Sequence, residues 1–180
     1  MKTINSFRSK LLALTLALMA SVSSFAYDFT FGNDFHIDGF AYKIISRTNP
    51  CSVALIEVAD CEKHVALPES VTYNDSTFIV TTLGMGNIVF SGTARNTMES
   101  IYIPKTIMIV NYRALGDCPN LKSIVVDEEN KYLDSRNNCN AIISSNDTYR
   151  PANQLVVGCK TTVIPNSVTE IVNYAFVRCE

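Results

Sequence analysis

One apolar pattern occurs twice in this chain, with the same spacing between corresponding residues at every matched position. The first copy begins Ile101-Tyr102-Ile103-Pro104, and the second has Ile164-Pro165 at the corresponding place. Seven positions share this offset: Ile103 with Ile164, Pro104 with Pro165, Ile107 with Val168, Val110 with Ile171, Ala114 with Ala175, Leu115 with Phe176 and Cys118 with Cys179. A fixed recurrence of this kind is typical of repeat architectures, in which each unit is one short supersecondary element. The sequence therefore predicts a repeat protein.

The proline of this pattern ends a short predicted strand and gives a frame for the other copies. Pro68, Pro104 and Pro165 mark three copies, and Asp127 stands where the proline of a further copy would be. The interval from Pro104 to Asp127 gives a unit of about 23 residues, and the intervals before and after it are longer, as insertions would make them. Proline suits this place because it ends ladder pairing without removing a donor from inside the strand.

Residues one and three places before the marker share one face of each strand, because side chains alternate along a strand. They are Val65 and Leu67, Ile101 and Ile103, Ile124 and Val126, and Thr162 and Ile164. A single unit of this length cannot bury such a face, whereas stacked units bury it against one another. We therefore expect these residues in the core, and Tyr102 and Val125, which lie between them, on an exposed sheet face.

The motifs of the units, taken together, resemble those of the BspA-like leucine-rich-repeat family. The resemblance is carried by residues 163–169 (Val-Ile-Pro-Asn-Ser-Val-Thr) with Tyr174-Ala175-Phe176 and Cys179, by the same turn at residues 68–72, and by the insertion at residues 134–143. It covers about residues 35–180 and implies a β-rich leucine-rich-repeat solenoid with short helical or 3-10 half-turns. Two features depart from the family pattern: Val172 stands near its usual glycine, and the copy at residues 83–98 is degenerate.

The chain divides into a repeat region and a segment before it. We expect residues 67–180 to form the solenoid, with hairpin insertions at about 72–82 and 128–157 and a last repeat that is truncated at residue 180. Residues 27–66 lack the repeat, but Asp38-Gly39 lies between two alternating segments, which is a strong signal for a two-residue hairpin. We expect this segment to form an N-terminal β-hairpin cap, because the end of a stack exposes apolar side chains and strand edges.

Residues 1–26 have the features of a secretory signal peptide. Basic residues precede a mostly apolar run at residues 11–20, and Ser24-Phe25-Ala26 precedes the expected cleavage point. The run is too short to span a bilayer, which takes about 20 apolar residues. We therefore expect a secreted or cell-surface protein that does not span the membrane. Without residues 1–26, which hold 3 of the 15 basic residues, 12 basic and 17 acidic residues remain, and this net charge of -5 argues against nucleic acid as the partner.

Six cysteines in an exported chain make disulfides possible. Cys51 and Cys61 flank a predicted strand, and Cys139 and Cys159 bracket the later part of the second insertion, so two local bridges could form. The alternative is that the cysteines are small buried hydrophobic residues. We expect this of the two cysteines in the recurring pattern, because both occupy the same repeat position.

No motif in the sequence predicts catalysis, a metal site or a cofactor. His64 lies near Asp60, Glu62 and Ser70, but this spacing does not bring a base and a nucleophile together. The cysteines form no C-x-x-C pair with a histidine partner, and there is no glycine-rich phosphate loop. We therefore expect a protein that is not an enzyme, with no cofactor and no metal ligands.

Loops that interrupt a stack of repeats project from it and often carry recognition. The polar tip of the second insertion contains Asn146, Asp147, Tyr149 and Arg150, which join Tyr102 and Val125 as candidate binding residues. We expect an exported, non-enzymatic module that mediates protein–protein interaction or adhesion, and the resemblance implies host matrix proteins or bacterial surface proteins as partners. The alternative is a carbohydrate-binding or structural accessory protein of the cell surface, with a glycan as its ligand.

Overall fold

The computed structural model describes residues 34–46, 48–146 and 148–179, so the predicted signal peptide lies outside the described residues. The fold is β-rich with few helical residues, as predicted. The strands are β1 (Asp34–Ile37), β2 (Phe40–Ser46), β3 (Ser52–Val58), β4 (His64–Ala66), β5 (Ser70–Tyr73), β6 (Ser76–Leu83), β7 (Ser100–Ile103), β8 (Ile109–Val110), β9 (Ser123–Val126), β10 (Leu133–Asp134), β11 (Ala141–Ser144), β12 (Gln154–Gly158) and β13 (Glu170–Ile171). One helical turn, α1 (Ala94–Thr97), and a 3-10 turn (Arg136–Asn138) complete the described elements.

Two hairpins flank the first sheet, whose strand order is β1-β2-β3-β6-β5. In the first hairpin Ile37 pairs with Phe40, so Asp38 and Gly39 form the two-residue turn, as predicted. Both turn residues have positive φ angles, 51° and 81°, which is the backbone conformation that a tight hairpin turn requires. The second hairpin joins β5 to β6 through the residue pair 74–75, inside the first predicted insertion.

Parallel strands form the structural centre of this sheet. Strands β3, β6 and β8 lie side by side, and we call them ladder A. Leu55 pairs with Leu83, and Leu83 pairs with Val110. All three side chains are fully buried. This row of apolar side chains from successive segments of the chain forms one continuous part of the core.

A second set of parallel strands, β4, β7 and β9, forms a separate sheet that we call ladder B. Val65 pairs with Ile101, and Ile101 pairs with Ile124. These side chains and the next inward row, Leu67, Ile103 and Val126, are buried. The predicted burial is therefore confirmed in the first three copies. The chain passes alternately through the ladders, in the order β3, β4, β6, β7, β8 and β9.

The fourth copy does not form the predicted strand. Val163 is 72% exposed and Ile164 is 47% exposed, and neither lies in a strand. The second insertion forms its own sheet, β10-β11-β12-β13, and the backbone N–H of Val163 donates to the carbonyl of Cys139 within that region. The prediction that Ile164 is buried was wrong because the segment around it does not pair with ladder B as a strand. Its backbone bonds to the region of the second insertion instead, so no strand register directs the Ile164 side chain into the core.

The rest of the fourth copy reproduces the earlier one at the offset that the sequence shows. Strand β13 pairs in parallel with β12 as β8 pairs with β6. The N–H of Ala114 donates to the carbonyl of Asn111, and the N–H of Ala175 donates to that of Val172. Asp117 and its counterpart at the same offset, Arg178, both have positive φ angles, 68° and 54°. The predicted half-turns are thus present as hydrogen-bonded turns that recur along the chain.

A buried asparagine that the motif analysis did not single out connects neighbouring turns of the chain. The Asn130 amide nitrogen donates to the carbonyl oxygens of Pro104 and Ile107, at 2.9 and 2.8 Å. Its amide oxygen accepts from the backbone N–H groups of Tyr132 and Leu133, at 2.9 Å each. Because all of these groups are satisfied by one side chain, Asn130 holds the turn after β7 against the turn after β9.

The structure contains neither of the two disulfides that the sequence made possible. Cys51 and Cys61 lie beyond opposite ends of the seven-residue strand β3, which keeps them roughly 20 Å apart, whereas a disulfide needs Cα atoms about 4.4–6.8 Å apart. Cys159 follows β12, and the pairing of Ala141 with Gly158 places it opposite residue 140 rather than Cys139. The Cys159 thiol accordingly donates to the carbonyl of residue 140, at 3.4 Å.

Candidate functional site

The outward side of ladder B is the candidate binding surface, and we call it the ladder B face. Its side chains form two rows across the three strands: His64, Ser100 and Ser123, and Ala66, Tyr102 and Val125. A shallow groove of about 230 Å³ runs over them. Tyr102 is 38% exposed and Val125 is 45% exposed, and the two residues pair directly. The structure therefore brings together the two candidate residues of the predicted strand face.

One end of the ladder B face carries a hydrogen-bonded acid. The Tyr102 hydroxyl donates to Oδ2 of Asp127, the residue after β9. This bond lowers the pKa of the Asp127 carboxyl and raises that of the Tyr102 hydroxyl, because it favours the ionised acid and the protonated phenol. Beside it, Lys105 forms an ion pair with Glu129 at 2.7 Å. This end of the face thus has fixed polar groups around an aromatic side chain.

The opposite end of the ladder B face carries a row of ion pairs. Glu99 precedes β7 and contacts Lys63 at 2.9 Å and Lys122 at 3.4 Å. Each of these three residues directly precedes a ladder B strand, so the parallel register places them side by side. The hydrogen bond from Lys63 is the main reason why the pKa of Glu99 lies below its ordinary value.

A histidine and a serine contact each other on the ladder B face. Nδ1 of His64 lies 2.8 Å from Oγ of Ser100, and the contact follows from the direct pairing of the two residues on β4 and β7. Asp60 and Glu62 line a hollow of about 420 Å³ next to His64. In the described part of the chain neither acid forms a hydrogen bond or an ion pair with His64. A triad would need an acid that orients the base, so the geometry does not assemble one.

The predicted loop tip lies elsewhere and is held against the body of the protein. The Asn146 amide donates to the carbonyl of Lys131, and the Tyr149 ring packs 5.5 Å from the ring of Tyr132. Arg150 donates to the carbonyl of Val110 in ladder A, at 3.2 Å, and burial lowers its pKa. Asp147 lies outside the described residues.

These contacts divide the sequence candidates into two groups. Tyr102 and Val125 share the ladder B face, whereas Tyr149 lines a groove of about 510 Å³ beside β6 and β8. The base of the tip is also fixed, because the buried Ser144 hydroxyl donates to the carbonyl of Pro151 at 2.6 Å. Arg150 is therefore a structural contact of the loop, and the tip does not extend the ladder B face.

Asp127 and Ser100 are not among the binding residues that the sequence predicts. The repeat frame contains a signal for each residue: Asp127 replaces the marker proline, and Ser100 stands at the same repeat position as Ser123.

The described residues contain no cluster of three or more His, Cys, Asp or Glu side chains arranged to hold a metal ion. Among the same residues, no helix combines the length and the apolar character needed to cross a membrane.

Three solved structures that are similar to this chain are leucine-rich repeat proteins. A leucine-rich cell surface protein of Faecalibacterium prausnitzii A2-165 is 16% identical, with a TM-score of 0.44, over 77% of this chain and 32% of its own length. One from Bacteroides ovatus ATCC 8483 is 24% identical, with a TM-score of 0.49, over 82% of this chain and 39% of its own. One from Bacteroides capillosus ATCC 29799 is 17% identical, with a TM-score of 0.40, over 53% of this chain and 66% of its own.

This chain thus spans less than two thirds of the length of each of these proteins. No protein-family model matches the sequence, and no curated protein matches it.

Proposed function

We propose that this chain is an exported, non-enzymatic repeat module that binds another protein through the ladder B face. One observation carries the proposal: Ala66, Tyr102 and Val125 form an exposed row, in register, on three parallel strands. Hydrogen-bonded strands hold such a row in a fixed arrangement. Binding therefore avoids the loss of conformational entropy that ordering a flexible loop of this protein would cost. The row is also partly aromatic and apolar, as the centre of a protein-binding surface is.

The charged ends of the ladder B face support the same function. Ion pairs around Glu99 lie at one end, and Lys105, Asp127 and Glu129 lie at the other. Protein interfaces commonly have an apolar centre and a polar rim, and charges at the rim contribute to the rate and specificity of association. The arrangement favours a partner with a complementary pattern of both charge signs.

In this proposal, ladders A and B are two sides of one leucine-rich-repeat solenoid. The alternation of the chain between the ladders and the recurrence of the β8 pairing at β13 support this architecture. The β1–β2 hairpin acts as the N-terminal cap, because β2 pairs with β3, the first strand of ladder A, and covers an edge that would otherwise be open. The sheet around β11 and β12 is the second insertion.

The proposed partners are proteins of the host matrix or of other bacterial surfaces, and the module acts as a secreted or cell-surface protein. The BspA-like motifs of residues 163–179 and the features of residues 1–26 support these two statements. The motifs do so by resemblance, and function is a property of the binding surface rather than of the fold. The surface must therefore be tested directly.

Binding of the purified protein to immobilised host matrix proteins and to intact bacteria tests the proposal. Val125→Arg places a charge in the centre of the row, and Val163→Arg is its matched control, because Val163 is an exposed valine outside the ladder B face. We expect Val125→Arg to weaken binding about tenfold or more and Val163→Arg to leave it unchanged. Equal binding by the wild type and Val125→Arg would contradict the proposal. Binding to a glycan without binding to any protein would favour the carbohydrate-binding alternative.

A further inference from the structure

A second concave surface, which we call the Arg113 pocket, lies apart from the ladder B face. It has a volume of about 470 Å³, and Ile88, Arg113, Asp117, Tyr174, Val177 and Arg178 line it. This volume lies within the usual range of small-ligand sites, about 300–1,000 Å³. Three separate segments of the chain meet here, around residues 88, 113–117 and 174–178. Residue 113 follows β8 and residue 174 follows β13, and the two are related by the offset that separates the two copies of the apolar pattern.

Aromatic rings hold the arginine of this pocket in place. The rings of Tyr112 and Tyr174 are stacked, with centroids 5.6 Å apart and planes 21° from parallel. The Arg113 guanidinium carbon lies 4.8 Å from the Tyr174 centroid and 5.7 Å from the Tyr112 centroid. Cation–π contact at these distances orients the guanidinium group, and Tyr174 remains 52% exposed. An exposed ring face and a preoriented cation therefore lie next to each other.

The charges around the pocket do not balance. Asp117 accepts hydrogen bonds from both Arg95 and Arg178, at 2.7 and 2.8 Å, so one carboxylate serves two guanidinium groups. In the part of the chain that the structure describes, the Arg113 side chain has neither an ion pair nor a hydrogen bond. Two arginines and one aspartate line the pocket, and the aspartate is shared with Arg95 outside it, so the pocket has a local excess of positive charge in a chain whose net charge is -2. The Arg113 pocket is therefore suited to an anion.

We propose that the Arg113 pocket binds a sugar that carries a carboxylate, such as a uronic acid unit of an acidic glycan. Planar guanidinium groups bind carboxylates through paired hydrogen bonds, and no described residue occupies the side-chain N–H donors of Arg113. The exposed tyrosine face offers an apolar, flat surface for the C–H side of a sugar ring. Ile88 and Val177 complete an apolar wall on the same pocket. This ligand goes beyond the protein partner proposed for the ladder B face and uses different residues.

An acidic peptide could also offer a carboxylate, so the test compares both kinds of ligand. Isothermal titration calorimetry of the purified protein would use a galacturonic acid trisaccharide, the neutral galactose trisaccharide and a hexaglutamate peptide. We expect binding of the acidic sugar alone, weakened by added salt because the contact is exposed and ionic. Equal affinity for the neutral sugar, tighter binding of the peptide, or no heat with the acidic sugar at millimolar concentration would each overturn the proposal.

Point variants locate the site. We expect Arg113→Gln to weaken binding of the galacturonic acid trisaccharide about tenfold or more, since it removes a charged hydrogen-bond donor group. Lys131→Gln removes one positive charge outside the pocket and should leave affinity unchanged. Tyr174→Leu should also weaken binding, and melting curves of all variants report whether each remains folded. Wild-type affinity in Arg113→Gln would overturn the proposal, while the Val125→Arg result for protein partners would be unaffected.

Discussion

The hydroxyl group of Tyr102 donates a hydrogen bond to the carboxylate of Asp127, which links β7 to the residue that follows β9. Both residues occupy fixed places in the repeat frame, since Tyr102 lies between two buried strand residues and Asp127 stands at the marker position. The bond favours the ionised form of Asp127 and holds the pKa of its carboxyl below the ordinary value. It therefore connects the central row of the ladder B face to its charged end.

Tyr102→Phe removes this bond, so we expect the pKa of Asp127 to rise toward the ordinary aspartate value of about 3.9. The pKa of the Asp127 carboxyl is depressed in the folded wild-type protein. The bond therefore stabilises the fold at pH values above the ordinary aspartate pKa, and this contribution is lost as the pH falls through the folded-state pKa. The stability difference between wild type and Tyr102→Phe should accordingly shrink in acid. Carboxyl-carbon NMR titration measures the pKa, with Tyr149→Phe as a control that leaves Asp127 unchanged. Identical Asp127 titration in wild type and Tyr102→Phe would show that the bond is absent in solution.

Equivalent repeat positions should differ sharply in their contribution to stability. Ile103 is fully buried, whereas Ile164, at the same repeat position, is 47% exposed. Ile103→Ala should lower the free energy of unfolding by about 2–5 kcal/mol, because it removes buried methyl groups and leaves a cavity. Ile164→Ala should change it by about 0.5 kcal/mol or less, as surface substitutions usually do. Urea denaturation of both variants measures the contrast, and similar losses would mean that the fourth copy is packed like the others.

The repeat frame predicted the parts of the fold that depend on local alternation and on stacking. It identified the buried rows of ladder B and the exposed pair Tyr102 and Val125, because side-chain direction in a strand follows from sequence parity. The Asp38-Gly39 turn was predictable for a similar reason, since its backbone conformation is restricted to few residue types. In each case the information lies within a few neighbouring residues or in a fixed offset.

Long-range pairing decided what the frame could not predict. The position of Ile164 depends on how the chain pairs after the second insertion, because the residues around Ile164 add no strand to ladder B, whereas those around Ile103 form β7. The docking of Arg150 on the carbonyl of Val110 joins two distant residues that share no motif. The Arg113 pocket likewise depends on contacts between segments that are distant in the sequence. Tyr112 and Tyr174 lie at nearly equivalent positions of the two copies, but their contact becomes visible only when the fold brings these segments together.

The cysteine thiols provide a direct check of the strand register. Cys159 lies opposite residue 140, so we expect Cys139 and Cys159 to remain separate thiols even after oxidative purification. Alkylation of the protein in denaturant without reductant, followed by peptide mass spectrometry, should modify both residues. A cross-linked peptide pair that appears only without reductant would instead require a register shift between β11 and β12.

Asn130 should be the most sensitive polar residue of the repeat core. Asn130→Ala would leave the carbonyls of Pro104 and Ile107 and the N–H groups of two following residues without the side chain that now pairs them. Each buried polar group that loses its partner costs about 1–3 kcal/mol, so we expect a loss of about 3 kcal/mol or more in the free energy of unfolding. Urea denaturation would measure it.

Two further variants separate hydrogen bonding from side-chain size at this position. Asn130→Asp keeps the shape but directs a second oxygen at the two carbonyls, so it should destabilise the protein although almost no volume is lost. Asn166→Ala is the surface control, because Asn166 is exposed, and it should stay within about 0.5 kcal/mol of the wild type. If Asn130→Asp were as stable as the wild type, the two donor bonds would not hold the turns together, and the connection between the segments after β7 and β9 would have to come from apolar packing alone.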